Sequence, residues 1–268
     1  MATGAYMVKP DTQARLKEFD PDDTGTFKSR DGAQAAMQAD IVRLRNLQEE
    51  LYVDARFALL LVLQGMDTSG KDGVVRHLSG ALQLTGAQVT SFREPNRDEL
   101  EHDFLWRVHQ RVPARRMIGI FNRSHYEDVL VVRVHKLVPE SVWQPRYHQI
   151  NDFERLLVES NVVVVKCFLH ISKDEQKKRL QSRLDDRAKL WKFLPSDLSE
   201  RAYWDDYQKA YAAVLSDCST AYAPWHVVPA NHKWYRNYAV TRLLVETLEG
   251  LHLKLPKPVV DPDQVTIP

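Results

Sequence analysis

The chain has 268 residues, 44% hydrophobic and 27% charged, which is enough apolar material for one sizeable core and too much for a disordered tail. Lys and Arg number 37 against 36 Asp and Glu, so a net charge of +1 excludes holding nucleic acid or a membrane by bulk positive charge, and any basic site must be local. No apolar run approaches the roughly 20 residues that span a bilayer, and Cys167 and Cys218 form neither a metal spacing nor a disulfide framework, so a reducing cytoplasm is the expected compartment.

Residues 1–30 mix Pro, Asp and Gly with little periodicity and are expected to form a surface arm. Gly32 to Tyr52 places Met37, Ile41, Leu44, Leu47 and Leu51 at steps of three or four, predicting an amphipathic helix packed on the sheet edge or on a neighbouring subunit. Apolar β-branched runs then predict five strands, Phe57–Leu63, Gln88–Phe92, Met117–Phe121, Val162–Ile171 and Trp225–Val228. Several are apolar at consecutive positions, as in parallel strands covered on both faces. Helices are expected between them at Asp72–Leu84, Arg97–Val112, His125–Lys136, Ser141–Ser160 and Lys173–Leu184. The alternation predicts a doubly wound, three-layer α/β/α domain with right-handed crossovers and ligands beyond the carboxyl ends of the strands. The charge-crowded stretch 173–215 reads as a two-helix appendage of a single domain, and the final LPKPVVDPDQVTIP as a proline-broken surface arm.

The first strand runs into Gln64-Gly65-Met66-Asp67-Thr68-Ser69-Gly70-Lys71-Asp72-Gly73. Glycines five apart followed by Lys make the phosphate-binding pattern GxxxxGK. The backbone from Gly65 and Met66 through Thr68, Ser69 and Gly70 can turn N–H groups around phosphate oxygens, the helix terminus adds its positive end, and Lys71 supplies a mobile charge. Ser or Thr usually follows the lysine as a Mg²⁺ ligand, and here Asp72 stands instead, which weakens an ordinary ATP-hydrolysing reading. Asp67 would repel bound phosphates unless a cation lay between them. It reads either as a Mg²⁺ ligand or as an Asp that caps the turn.

The third strand runs into Asn122-Arg123-Ser124-His125-Tyr126-Glu127-Asp128. Asn122 occupies the place where such a strand commonly ends in an acidic metal ligand, and Arg123 can bridge transferring phosphoryl oxygens. Glu127 either holds a substrate group or its metal, or is a solvated helix residue. Arg133 in VLVVRVHKL calls for an anionic partner, either phosphate or a structural carboxylate. Arg179 and Arg183, four apart, share a helical face that reads as a lid closing over phosphates or as a solvated face. The clusters Phe104–Arg107 and Trp234–Arg236 read as helix packing rather than base stacking.

With GMDTSGKDG, EPNRDELEHDFLWRVHQRVP, GIFNRSHYEDVLVVRVHKLVP, HISKDEQKKRLQSRLDD and WKFLPSDLSERAYWDDY in order, the chain resembles the family-2 polyphosphate kinases from about Leu51 to Leu251. The resemblance implies a phosphate-binding-loop (P-loop) kinase fold with a helical lid, and phosphoryl transfer between inorganic polyphosphate and nucleotides with Mg²⁺ or Mn²⁺. It implies that Lys71 contacts phosphates, that Asp67 is a metal-binding catalytic carboxylate, and that Arg123 and Arg133 are phosphate-contacting cations, with Arg179 and Arg183 in the basic lid helix. Many relatives that act on nucleoside diphosphates carry Asp where Asn122 stands, and often Asn where Glu127 stands. In both positions the chain is similar to class III members, which accept nucleoside mono- and diphosphates, so AMP to ADP and ADP to ATP are expected on one site. A homo-oligomer, often a tetramer, is also implied. The rival on the same fold is an ATP-dependent nucleoside monophosphate kinase, and the rival of another class is a nucleotide-responsive scaffold without turnover.

Overall fold

The structure, a computed structural model, describes residues 4–256. In chain order it contains β1 (Tyr6–Met7), α1 (Arg30–Asp54), β2 (Ala58–Gln64), α2 (Lys71–Ala81), β3 (Ala87–Ser91), β4 (Ile118–Asn122), α3 (Arg146–Glu159), β5 (Val162–His170), α4 (Lys173–Leu184), α5 (Pro195–Ala202), α6 (Trp204–Asp217), β6 (Trp225–Pro229) and α7 (Lys233–Glu249), with shorter turns between them. The sheet order is β1-β6-β5-β2-β4-β3. The five predicted strands all form and are all parallel, and β2, with all seven residues buried, sits between β4 and β5. The chain moves outward from β2 in both directions, so the crevice where strand order reverses lies beyond the end of β2. The loops after β2 and β4 meet there.

A sixth strand corrects the five-stranded expectation. β1 pairs antiparallel with β6, Tyr6 opposite Val227 and Met7 opposite His226. The amino-terminal segment is therefore more than a surface arm, since Val8, Ala14 and Leu16 are buried in the core. Two residues are too few to show a period of two, and what makes them a strand is the open edge of β6.

α1 begins at Ser29, whose side chain accepts from the Gly32 N–H, and buries Leu44, Leu47 and Leu51 against α2 and α7. Three expected helices are broken. Arg97–Val112 contains two single turns, Arg97–Leu100 and Trp106–His109, because the Asp103 carboxylate accepts from Leu105 N and starts a new turn. His125–Lys136 divides into a 3₁₀ turn, His125–Asp128, and a helical turn, Val131–Val134. Ser141–Ser160 divides at Pro145, which has no N–H to continue the ladder. The stretch 173–215 holds three helices rather than two. The last of them, α6, buries Trp204, Tyr211, Val214 and Leu215 in the core, so it belongs to the body of the domain. Most of the proline-broken carboxyl-terminal stretch, from residue 257 on, lies outside the described residues. Among those described, no helix is long and apolar enough to cross a membrane.

Candidate active site

The loop after β2 takes a shape that few side chains permit. Gly65 has φ +154° and Gly70, the residue before α2, has φ +99°. A Cβ at Gly65 would lie 2.7 Å from the Leu169 carbonyl oxygen, a backbone atom of β5 that cannot swing away. Gly65→Ala is therefore expected to lower stability by about 2 kcal/mol or more, read as a drop of several degrees in Tm. A Tm equal to that of the unaltered protein would contradict this loop geometry.

The loop is braced from outside. Gln176 donates to Asp67 O (3.1 Å), Arg179 to Thr68 O (2.9 Å) and Ser69 O (3.1 Å), and Arg236 to Ser69 O (3.3 Å). A trans peptide presents its N–H opposite its carbonyl, so holding these carbonyls on one side turns the Thr68 and Gly70 N–H groups to the other. Arg179 also bonds Ala230 O, Asn231 O and Glu175, and is only 7% exposed. Expected among the phosphate contacts, it clamps the phosphate loop and also lines the larger of the two clefts beside it. Arg236 lies against Gly70 and Gly73, where added Cβ atoms would come within 1.8 and 2.7 Å of its guanidinium. Burial, and then neighbouring Arg179, push its pKa down to about 10.

Lys71 turns back over the loop and donates to Gly65 O (2.7 Å) and Met66 O (3.3 Å). Burial first, then the charge of Arg123, lower its pKa to about 8, against the opposing carboxylates of Asp67, Glu127 and Asp72. Across the loop, Arg123 holds a left-handed backbone (φ +64°) with its N–H on Leu63 O, and its guanidinium lies 3.6 Å from Glu127. Asn122 Nδ2 donates to Asp72 Oδ1 at 2.6 Å, so the residue at the end of β4 and the residue after the loop lysine are directly joined.

Two clefts meet at Asp67, Lys71 and Arg123. One, of about 310 Å³, continues past Glu127 to Leu130, His135, Leu194, Tyr207 and Tyr211. The other, of about 670 Å³, is a trough lined by Arg76, Arg93, Arg183, Lys189, Lys192 and Lys233. Arg183 bridges to Asp197 (3.2 Å) and approaches Asp67 Oδ2 (3.9 Å). That Oδ2 atom is buried and accepts no hydrogen bond, which leaves it available to a cation. Among the described residues no group of three or more His, Cys, Asp or Glu could hold a metal. The lone Asp67 carboxylate would suit a hard ion that takes one or two carboxylates and fills its shell with phosphate and water oxygens.

Of the residues expected from sequence, Gly65, Met66, Asp67, Thr68, Ser69, Gly70, Lys71, Asn122, Arg123 and Glu127 are gathered in or around these clefts, with Arg179 and Arg183 lining the larger one. Arg133 is not brought there. It lines a separate pocket with Lys136, Pro139 and Trp143, donating to Tyr147 Oη (3.0 Å) with its guanidinium 4.8 Å from the Trp143 ring. Sequence reasoning missed Gln176 and Arg236 as braces, and Tyr207 and Tyr211 as cleft walls. The two tyrosines are four apart on α6 and share a face, a signal within reach of a helical reading. Nothing local marks Arg236.

A parallel α/β sheet whose switch-point loop presents N–H groups and a lysine, faced by an arginine and a carboxylate, defines the P-loop phosphotransferase class. The family profile described as polyphosphate kinase 2 matches residues 27–256. The chain is 52% identical to an AMP/ADP-polyphosphate phosphotransferase of Meiothermus ruber over 98% of both chains. It is 43% identical to an ADP-polyphosphate phosphotransferase of Rhodopseudomonas palustris, over 86% of this chain and 84% of that one. The crystal structure of polyphosphate kinase 2 from Arthrobacter aurescens superposes with a TM-score of 0.91 at 45% identity, covering 96% of this chain and 95% of that one. The chain belongs to the polyphosphate kinase 2 family.

Proposed function

We propose that the chain transfers the terminal phosphoryl group of inorganic polyphosphate to AMP and to ADP, reversibly, giving ADP and ATP. The observation that carries this reading is the meeting of two unlike clefts at Asp67, Lys71 and Arg123. A cationic trough suits a long polyanion that has no base or sugar to recognise. The second cleft, with leucines and tyrosines beyond its charged end, suits a nucleotide with its phosphate toward Arg123. The names of the relatives agree with both substrates.

The acceptor oxygen is already anionic, so a strong general base adds little, and rate comes from positioning and charge neutralisation. Lys71 and the loop N–H groups hold the donor phosphoryl, and Arg123 holds the oxygens shared by donor and acceptor. Asp67 would hold a divalent ion, Mg²⁺ or Mn²⁺, which when bound screens the repulsion between the two polyanions. Glu127 stands on the acceptor side, while Asn122, expected from sequence beside the nucleotide, lines the trough with Asp72. α4 and α5, with the turn Arg187–Lys192 between them, serve as a lid over a single domain, and the protein works as a cytoplasmic homo-oligomer, a tetramer.

With Mg²⁺ and long-chain polyphosphate, AMP alone is expected to yield ADP and then ATP, and ADP alone to yield ATP. Turnover of AMP with ATP as donor but not with polyphosphate would replace this reading by the ATP-dependent kinase. The charge reversal Lys189→Glu with Lys192→Glu is expected to raise KM for polyphosphate about tenfold while leaving KM for AMP within twofold. Equal effects on both would place the nucleotide in the trough.

The lysine sets a pH dependence. Its pKa of about 8 without ligand means that Lys71 is charged below that pH and discharges above it. A bound phosphate favours the charged form, so polyphosphate affinity should weaken as pH rises through about 8, with proton uptake on binding above it. Calorimetric titration in buffers of different ionisation enthalpy measures that uptake.

A further inference from the structure

Lys166 stands in the middle of β5, within the run VVVVKCFLH, opposite Val62 of β2 and Trp225 of β6. It is fully buried, as are Glu154, His125 and Tyr126. Lys166 Nζ donates to Glu154 Oε2 (2.5 Å), to Tyr126 Oη (3.0 Å) and to Cys218 O (2.6 Å). Glu154 Oε1 accepts from Tyr126 Oη (2.8 Å) and from His125 Nε2 (3.2 Å). The charge of Lys166 pulls the Glu154 carboxyl below its usual range, against burial, so the carboxylate is ionised and the His125 hydrogen lies on Nε2.

An ion pair at this depth is a poor device for stability, since desolvation offsets much of the attraction and apolar residues of similar volume often do as well. Its other end shows a different use. His125 and Tyr126 belong to the segment 123–127, whose backbone is a left-handed residue followed by one 3₁₀ turn. One isolated turn has too few hydrogen bonds of its own to fix its side chains. The residues that reach into the clefts, Arg123 and Glu127, flank the three that point into the core. Ser124 accepts from Gln64 Nε2 (3.1 Å) and from Tyr126 N (3.2 Å), while His125 and Tyr126 are held by Glu154.

We propose that Glu154 and Lys166, acting through His125 and Tyr126, are positioning residues that set where Arg123 and Glu127 meet the acceptor phosphate. This rests on the reading of Arg123 and Glu127 given above. Arg123 lines both clefts and Glu127 only the acceptor cleft, while the trough is lined mainly by other cations, so loss of the pair should fall far more on acceptor turnover than on the hold on polyphosphate.

The test compares the full chain with three changes: Tyr126→Phe, the double change Glu154→Gln with Lys166→Met, and Glu127→Ala as reference. Tyr126→Phe is expected to lower kcat with AMP about fivefold, and the double change at least tenfold. KM for polyphosphate should stay within twofold, the ratio of AMP to ADP turnover should change, and Tm should move by only a few degrees in Tyr126→Phe. A lowered Tm with unaltered kcat and AMP-to-ADP ratio in the folded protein would overturn the proposal. If the double change prevents folding, Tyr126→Phe decides alone, and an unchanged kcat and ratio there overturn it. An impaired Glu127→Ala beside a fully active Tyr126→Phe removes the positioning role only. An unimpaired Glu127→Ala removes the site reading and this proposal with it.

Discussion

Lys71→Ala is expected to lower kcat/KM for polyphosphate by about 10³- to 10⁴-fold, or roughly 4–5.5 kcal/mol of transition-state stabilisation. Lys71 lines both clefts and sits where the donor phosphoryl must lie if the loop holds it. The substitution should not harm the fold. Burial lowers the pKa of Lys71, so holding this charge in the unliganded protein is unfavourable, and its two hydrogen bonds go to carbonyls at the cleft rather than in the core. Steady-state kinetics beside a melting curve separate the effects. A rate within tenfold of the unaltered protein would remove the loop lysine from the chemistry, and a lost rate with a collapsed Tm would show that its role is structural.

Asp67→Asn should lower metal-dependent turnover by about 10²- to 10³-fold, with the Mn²⁺ dissociation constant, read from electron paramagnetic resonance, rising at least tenfold. The amide keeps the size of the side chain and leaves the backbone carbonyl that Gln176 holds, so the loop should survive. What it removes is the carboxylate whose buried Oδ2 has no hydrogen-bond partner. It also removes one of the charges that favour protonated Lys71, so the polyphosphate profile should begin to weaken at lower pH. Undiminished Mn²⁺ binding would move the metal to Asp72, the next carboxylate on the trough, which Asn122 holds in place.

Much of the fold was legible because the signals were local. Five strands were visible as apolar β-branched runs, several of them apolar at consecutive positions as in strands covered on both faces, and each begins and ends within one residue of its expected bounds, although the edge strand β3 is largely exposed. The helix Lys173–Leu184 was placed to the residue, with Ser172 accepting from the Glu175 N–H at its start. The breaks at Asp103 and Pro145 were also local and could have been read. β1 could not, because a strand of two residues exists only through its partner, β6.

By itself the sequence determined the chemistry of the loop: glycines where φ is positive, a lysine at the head of a helix, and an arginine at the end of a buried strand. Each of these is set by the neighbouring few residues and by backbone sterics. Only the tertiary structure decided which cations face the clefts. Arg133, Arg179, Arg183 and Arg236 are alike in sequence as basic residues among helices. Packing sends the first to Tyr147 and Trp143, makes the second and fourth braces of loop carbonyls that also line the trough, and places the third there beside Asp67. An arginine side chain is long, and its partner is chosen by whichever carbonyl, ring or carboxylate another element brings within reach. The same holds for Lys166, which reads in sequence as an interruption of a strand and acquires its role only from Glu154 on a separate helix.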